Sequence, residues 1–167
     1  MAFDNHMRRG HPIVFGLLVF FSVIELAISA FLTAQFNQHL NYFNTAERDR
    51  TSFILFTSIW TTALSALYMF SFFAMPSSVL NSVASHIAFL LPTWIFWTAG
   101  AASITSVLGG GLNCSNQTVF VYCGQLNALE GFAWVIWVLV TFAIMIVAIR
   151  AVVSARRGDG VGGPLIE

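Results

Sequence analysis

The sequence predicts an all-α membrane protein, a four-transmembrane-helix bundle with the N- and C-termini cytoplasmic. Hydrophobic residues make up 57% of the 167-residue chain, charged residues only 8%, and the mean hydropathy is +0.80. A soluble domain carries about 25% charged residues. Four apolar runs each reach the roughly 20 residues that cross a bilayer as a helix. They stay apolar throughout, whereas strands of a membrane barrel alternate over about 10 residues.

The first predicted helix covers about residues 12–35 and follows a cytoplasmic N-terminus, residues 1–11. Pro12 suits the first turn of a helix, where its missing N–H costs little. A secretory signal peptide would also have basic residues before the apolar run and small residues after it. However, this run is longer than the roughly 7–15 residues of a signal core, and it contains Glu25. We therefore expect a helix that is retained.

Three further helices follow, and together the four form one membrane domain over residues 12–153. The second covers about 51–75 and should end at the turn Met75-Pro76-Ser77-Ser78, because proline disfavours helix in the preceding residue. The third covers about 82–108 and ends at three glycines, and the fourth covers about 126–153. Residues 154–167 are Gly-rich and predict a flexible cytoplasmic tail.

Arginine placement predicts the orientation. Five of the seven basic residues flank the ends of the chain: Arg8, Arg9, Arg150, Arg156 and Arg157. The first loop has only Arg48 and Arg50, and the other two loops have none. Cytoplasmic loops carry the excess of basic residues, so both ends should lie in the cytoplasm.

The cysteines agree with this orientation. Cys114 and Cys123 both fall in the third loop, which would lie outside, where two nearby thiols favour a disulfide. Closing a loop of about ten residues would contribute roughly 2–3 kcal/mol. The alternative is two unpaired small residues. Asn116 is a candidate N-glycosylation site in the same loop, although such triplets are common by chance.

Glu25 is the main candidate for chemistry, because an ionisable group inside a membrane costs about 2.5–3.5 kcal/mol. It belongs to a stripe at helical spacing, comprising Ser22, Glu25, Ser29 and Thr33. A matching stripe on the second helix comprises Ser58, Thr61, Thr62 and Ser65. We expect Thr61, Thr62 or Thr93 to hydrogen-bond a neutral Glu25. Proton or ion handling is the functional alternative. The simpler interhelical bond, of about 0.6–2 kcal/mol, is favoured because a single carboxyl forms no relay.

Three further features concern how the helices pack. Glu130, near the outer end of the fourth helix, is within reach of Arg48 or Arg50, so we expect a salt bridge joining the second and fourth helices; a solvated carboxylate is the alternative. Pro92 should kink the third helix, and we expect it to set shape rather than to line a binding cavity. Trp60, Trp94 and Trp97 lie well inside their helices, as packing residues with an N–H to satisfy.

Enzymatic, metal and nucleic-acid signatures are missing from the sequence. The four histidines have no metal-ligand spacing, and neither HExxH nor GxSxG occurs. The three consecutive glycines are not followed by Lys-Ser/Thr, so they form no phosphate loop. The chain has no basic stripe interleaved with aromatic residues of the kind that binds nucleic acid. We therefore expect no enzyme activity, no cofactor and no nucleic-acid partner.

The arrangement resembles the MARVEL domain: four spans, cytoplasmic ends, a basic pair before the first helix, and cysteines in the last outer loop. Three stretches are similar to small MARVEL-type proteins of fungi: residues 8–12 (RRGHP), 47–50 (ERDR) and 123–130 (CGQLNALE). The outer loops are too short for a tetraspanin, and a claudin has its cysteines in the first loop. The resemblance spans about residues 8–157.

The resemblance implies a protein that organises membrane domains, membrane apposition or vesicle trafficking through lateral association. Its partners would be membrane lipids and either further copies of itself or other membrane proteins, and the plasma membrane is the expected location. Two alternatives are a small transporter or channel subunit, with Glu25 and Pro92 lining a path, and an accessory subunit of a larger membrane complex. A pore predicts a continuous water-accessible polar stripe, and an organiser predicts a dry, packed interior.

Overall fold

The fold is a bundle of four long α-helices. A computed structural model describes residues 2–74 and 82–157, with side chains described at residue 10 and over 12–74 and 82–153. The helices are α1 (Ala2–His39), α2 (Thr45–Ala74), α3 (Val83–Leu108) and α4 (Cys123–Arg157). No strand occurs in these described ranges, and each helix is long and apolar enough to cross a membrane. The predicted fold class, an all-α bundle of four transmembrane helices, is confirmed.

Three helices are longer than the sequence predicted. α1 begins at Ala2, so Pro12 lies inside it rather than in its first turn, and the span-length apolar segment is Pro12–His39. α4 begins at Cys123 and continues to Arg157, so the start of the predicted tail is helical. Residues 75–81, with the expected turn, and 158–167, with the rest of the tail, lie outside the described residues. Helices continue past apolar runs because each added residue gains a backbone hydrogen bond at little further cost.

A capping motif explains why α2 starts before its apolar run. The Glu47 backbone N–H donates to the Asn44 side chain (2.8 Å), and the Glu47 carboxylate accepts from the Phe43 backbone N–H (2.6 Å). The first bond satisfies an N–H donor that a helix start otherwise leaves without a partner, and the second ties the residue before the cap to the first turn. The helix therefore begins at Thr45, although its first six residues are mostly polar.

α3 has a cap at each end. Ser82 accepts a hydrogen bond from the Ser85 backbone N–H (3.2 Å) at the start. At the end, Gly109 and Gly110 have φ of 75° and 97°, and both backbone N–H groups donate to the Thr105 carbonyl. This left-handed conformation favours glycine and satisfies a free carbonyl at the helix end. The predicted stop at the glycines is therefore explained by backbone geometry.

The helices form a ring in which each packs mainly against two neighbours. α1 contacts α2 and α4, and α3 contacts the same two helices. α1 and α3 therefore lie across one diagonal of the bundle, and α2 and α4 across the other. The core between them is fully buried and includes Leu18, Ile54, Trp97, Leu129 and Ile136. Large apolar side chains such as Phe70 and Ile95 point outward, as in a bundle surrounded by lipid.

The α1–α2 loop and the α3–α4 loop lie at the same end of the bundle, here called the loop end. The Tyr122 hydroxyl joins them: it donates to Gln35 (3.0 Å) and accepts from the Asn41 side chain (2.9 Å). In the α3–α4 loop, the Asn127 amide makes two bonds of 2.7 Å to the Leu112 backbone. The opposite end, which carries both chain termini, is called the terminal end.

Candidate functional site

All five tryptophans of the chain donate their indole N–H to a threonine hydroxyl on a neighbouring helix. These bonds form the Trp–Thr network: Trp60 to Thr93 (3.0 Å), Trp97 to Thr61 (2.9 Å), Trp94 to Thr141 (3.0 Å), Trp137 to Thr98 (2.8 Å) and Trp134 to Thr105 (3.1 Å). The first two join α2 to α3, and the other three join α3 to α4. The prediction that Trp60, Trp94 and Trp97 are packing residues whose N–H is satisfied is confirmed.

Four of the five acceptor threonines pass the hydrogen bond on to their own helix. Thr61, Thr93, Thr98 and Thr141 each donate to the carbonyl four residues earlier, at 2.7–2.8 Å. Each hydroxyl thereby has both a donor and an acceptor partner. In a medium without water such complete pairing is needed, because an unpaired polar group costs several kcal/mol.

Glu25 is fully buried in the middle of α1, and neither of its carboxyl oxygens has a hydrogen-bond partner among the described residues. The predicted partners are bonded elsewhere. Thr61 accepts from Trp97, and Thr93 accepts from Trp60. Thr62 donates to Ser22 (2.9 Å). The prediction that these threonines hydrogen-bond to Glu25 is therefore wrong. Their hydroxyls bond to the two indoles and to Ser22 instead.

The predicted polar stripes face the interior of the bundle at six of their eight positions, and Thr33 and Thr62 are half-buried. Ser22, Glu25 and Ser29 on α1 are fully buried, and so are Ser58, Thr61 and Ser65 on α2. The Thr62–Ser22 bond fixes how the two stripes lie against each other. Ser29 donates to the backbone carbonyl of Glu25 (2.7 Å), one turn earlier. Helical spacing in the sequence was sufficient to predict this face.

The predicted salt bridge between α2 and α4 does not form. Arg48 pairs with Asp49 (3.1 Å) and lies over the Tyr42 ring, and Arg50 donates to the Ser103 carbonyl on α3 (2.6 Å). Within the described chain, neither arginine pairs with Glu130, which is buried. α2 and α4 lie across a diagonal of the ring and are not in contact over most of their length. Arg50 therefore bonds to α3, the helix adjacent to α2, near the C-terminal end of α3, where the helix dipole is negative.

Pro92 lies within α3, which is helical on both sides of it. The hydroxyl of the next residue, Thr93, donates to the Phe89 carbonyl (2.7 Å). That hydroxyl also accepts from Trp60. The residue after the proline thus connects α3 to α2, and the kink and shape-setting role of Pro92 stay predictions.

Cys114 and Cys123 lie together at disulfide distance, with Cα atoms 5.7 Å apart. Cys123 is the first residue of α4, so the pair closes the α3–α4 loop onto that helix. Gln117 organises the loop: its side chain accepts from the Val119 and Phe120 backbone N–H groups (2.9 and 2.8 Å). Asn116 is exposed beside it. Its glycosylation stays a prediction.

The sequence analysis missed an aromatic cluster near the terminal end. The Tyr68 ring stacks on Phe89 (5.1 Å) and meets the buried His86 ring edge-on (4.8 Å), while its hydroxyl bonds to Ser85 (2.6 Å to the side chain). Phe15 of α1 packs on the same rings. Tyr68 on α2 and His86 and Phe89 on α3 belong to no shared sequence motif. Only their spacing along the buried faces of the two helices could have indicated the cluster.

The comparisons with known proteins add no relative. No protein family model, curated protein or solved structure matches the chain. The described residues contain no group of three or more His, Cys, Asp or Glu side chains that could hold a metal ion.

Proposed function

We propose that the chain is a non-enzymatic membrane protein that organises membrane domains or membrane apposition through lateral association with lipids and proteins. Four apolar helices make it an integral membrane protein. The resemblance to MARVEL-type proteins, which rests on short stretches of sequence, suggests the organising role, the plasma membrane as location and lipids or membrane proteins as partners. Both ends would lie in the cytoplasm, as the arginine distribution predicts.

The observation that carries this proposal is the Trp–Thr network. Tryptophan usually concentrates at the membrane interface, where its N–H meets water. Here every indole N–H instead forms a hydrogen bond between α2 and α3 or between α3 and α4, which suits a rigid, packed interior. The surface left for function is then the outward apolar face and the compact loop end, both suited to lateral contacts.

A small transporter or channel subunit is the second candidate, and Glu25 is the observation that favours it. A buried carboxyl without a partner is an expected component of an ion path. The hydroxyls around it, however, are bonded to backbone carbonyls or to indoles. We rank this function second for that reason. An accessory role in a larger complex would leave the same interior and differ only in its partners.

Isolation in native lipid, combined with flux measurements, tests the proposal. We expect particles extracted with their surrounding membrane to contain a reproducible subset of lipids or proteins enriched over the bulk membrane. Liposomes containing the purified chain should show the same proton and sodium leak as empty liposomes. Unselected lipid around a lone chain would contradict the organiser, and a leak that Glu25→Gln abolishes would establish the transporter instead.

A further inference from the structure

The position of Glu25 against α2 follows from one hydrogen bond. Thr62 donates to Ser22 at 2.9 Å, which places these two residues at the same depth. Glu25 lies three residues further along α1, about 4.5 Å, and Ser58 lies four residues back along α2, about 6 Å. Because the helices run in opposite directions, Glu25 and Ser58 lie at nearly the same depth of the α1–α2 interface, within about 1.5 Å along the helix axes.

Three serine and threonine hydroxyls near the depth of Glu25 donate their hydrogens to backbone carbonyls. Ser58 donates to the Ile54 carbonyl (2.8 Å), Ser29 to the Glu25 carbonyl (2.7 Å) and Thr61 to the Thr57 carbonyl (2.8 Å). They therefore turn only oxygen lone pairs toward other groups. Glu25 adds two carboxyl oxygens without a donor, at 0% exposure. The Thr61 oxygen already accepts the Trp97 indole N–H, so among the described residues Ser29 and Ser58 are the hydroxyls that add acceptor oxygens near the depth of Glu25.

A set of oxygen acceptors without donors is satisfied by a cation. One carboxylate supplies one negative charge, so a univalent cation leaves no uncompensated charge inside the membrane, whereas a divalent ion would leave one. Carboxylate and hydroxyl oxygens are hard ligands, which suit a proton or an alkali cation better than a soft transition metal.

The described titratable and charged groups of the other helices lie at other depths. On α2, Glu47 is eleven residues from Ser58 toward the loop end, about 16 Å, with Arg48, Asp49 and Arg50 beside it, and Tyr68 is ten residues toward the terminal end. The Trp60–Thr93 and Trp94–Thr141 bonds place Thr93 and Thr141 near the Glu25 depth. His86 on α3, and Glu130 and Arg150 on α4, are then about 10 to 16 Å away along their helices. His39 of α1 lies at the loop end.

We propose that Glu25, with the Ser29 and Ser58 hydroxyl oxygens, forms an internal binding site for a univalent cation, either a proton or Na⁺. The site lies at mid-membrane between α1 and α2. It is separate from the lateral surface used in the proposed organising function, and it requires only exchange of the cation with the medium, without a path through the bundle.

Infrared spectroscopy of the full chain in lipid nanodiscs tests this site. The carboxylic acid C=O band of Glu25 is the band that is present in the wild type and missing in Glu25→Gln. This band is followed against pH in choline chloride and then against NaCl at constant ionic strength. Glu25→Gln keeps the shape of the side chain and supplies a donor, so it should fold, and an unchanged circular dichroism spectrum checks this. Ser58→Ala is the second variant.

Loss of the band as NaCl replaces choline chloride, to about one-tenth at ten times the half-saturating concentration, identifies Na⁺ as a cation that displaces the proton. Ser58→Ala should then need more NaCl. Loss of the band with rising pH alone identifies the proton as the exchanging cation. A band that persists at every pH and salt concentration would overturn the site, because nothing would exchange there. A carboxylate that ignores both pH and Na⁺ would also overturn it.

Discussion

At the scale of single residues, the indole–hydroxyl pair is the recurring device of this bundle. Between helices in lipid, a polar bond contributes about 0.6–2 kcal/mol, alongside van der Waals packing and lipid entropy. Five such bonds therefore make a sizeable contribution to how α2, α3 and α4 associate. The bond from Trp97 to Thr61 is the most deeply placed, since both side chains are fully buried.

A double-mutant cycle should measure this pair. Trp97→Phe removes the donor and Thr61→Val removes the acceptor, and each change should lower the free energy of unfolding by about 1–3 kcal/mol because a buried polar partner is left unpaired. The double variant should lose less than the sum, with a coupling of about 1 kcal/mol. Unfolding by a denaturing detergent, followed by circular dichroism, gives these values.

The matched control is the pair Trp134–Thr105, in which Trp134 is 37% exposed. Trp134→Phe with Thr105→Val should show a smaller coupling, since the exposed indole can find other partners. Equal couplings at the two sites, or none at Trp97, would contradict a structural role for the buried bond.

Sequence reasoning at this scale identified which side chains are polar and buried, but it could not pair them. Ser22, Glu25 and Ser29 recur at helical spacing, so their shared burial was predictable. Thr61 and Thr62 were assigned to Glu25 because they reach about its depth along the neighbouring helix, with Thr93 on α3 as the alternative. Their actual partners depend on rotation of α3 about its axis, which brings Trp97 to Thr61, and spacing within one helix does not specify that rotation.

At the scale of helices, short motifs of polar residues or glycine decide where each helix begins and ends, and the hydropathy of the chain does not reveal them. Asn44 and Glu47 start α2 well before its apolar run, and the spacing of these two residues is a capping signature that the sequence does contain. α3 stops where predicted because Gly109 adopts a left-handed conformation. α1 ends differently, since the residue after His39 is Leu40 with φ of 53°.

Leu40→Gly should stabilise the end of α1. A side chain in the left-handed region costs roughly 1–2 kcal/mol, which glycine avoids at the expense of about 0.5–1 kcal/mol of chain entropy. We expect a net gain of about 0.5–1 kcal/mol in the free energy of unfolding, measured as above. Leu40→Ala is the control: it removes the exposed side chain but keeps Cβ, so it should give no gain. Equal effects of the two changes would show that backbone strain at this position is unimportant.

At the scale of the whole molecule, the ring arrangement explains which predictions succeeded. Helix number and fold class were predictable, since they depend only on the length of apolar runs. The salt bridge from Arg48 or Arg50 to Glu130 was wrong because it assumed that α2 and α4 are neighbours. In the ring they lie diagonally, and Arg50 instead reaches Ser103 on α3. Helix order around a bundle depends on packing of all four faces at once, which no single stretch of sequence specifies.

The central claim is that the four helices cross the membrane, with the α1–α2 and α3–α4 loops on the outer side and both chain ends in the cytoplasm. Labelling of single cysteines by a membrane-impermeant maleimide in intact cells tests it most directly. One chain keeps Cys114 with Cys123→Ser, a second carries Gln38→Cys, and a third carries Gly158→Cys, the latter two without the native cysteines. We predict that Cys114 and position 38 react in intact cells, and that position 158 reacts only after permeabilisation. Labelling of position 158 in intact cells, or of only one of Cys114 and position 38, would contradict the account.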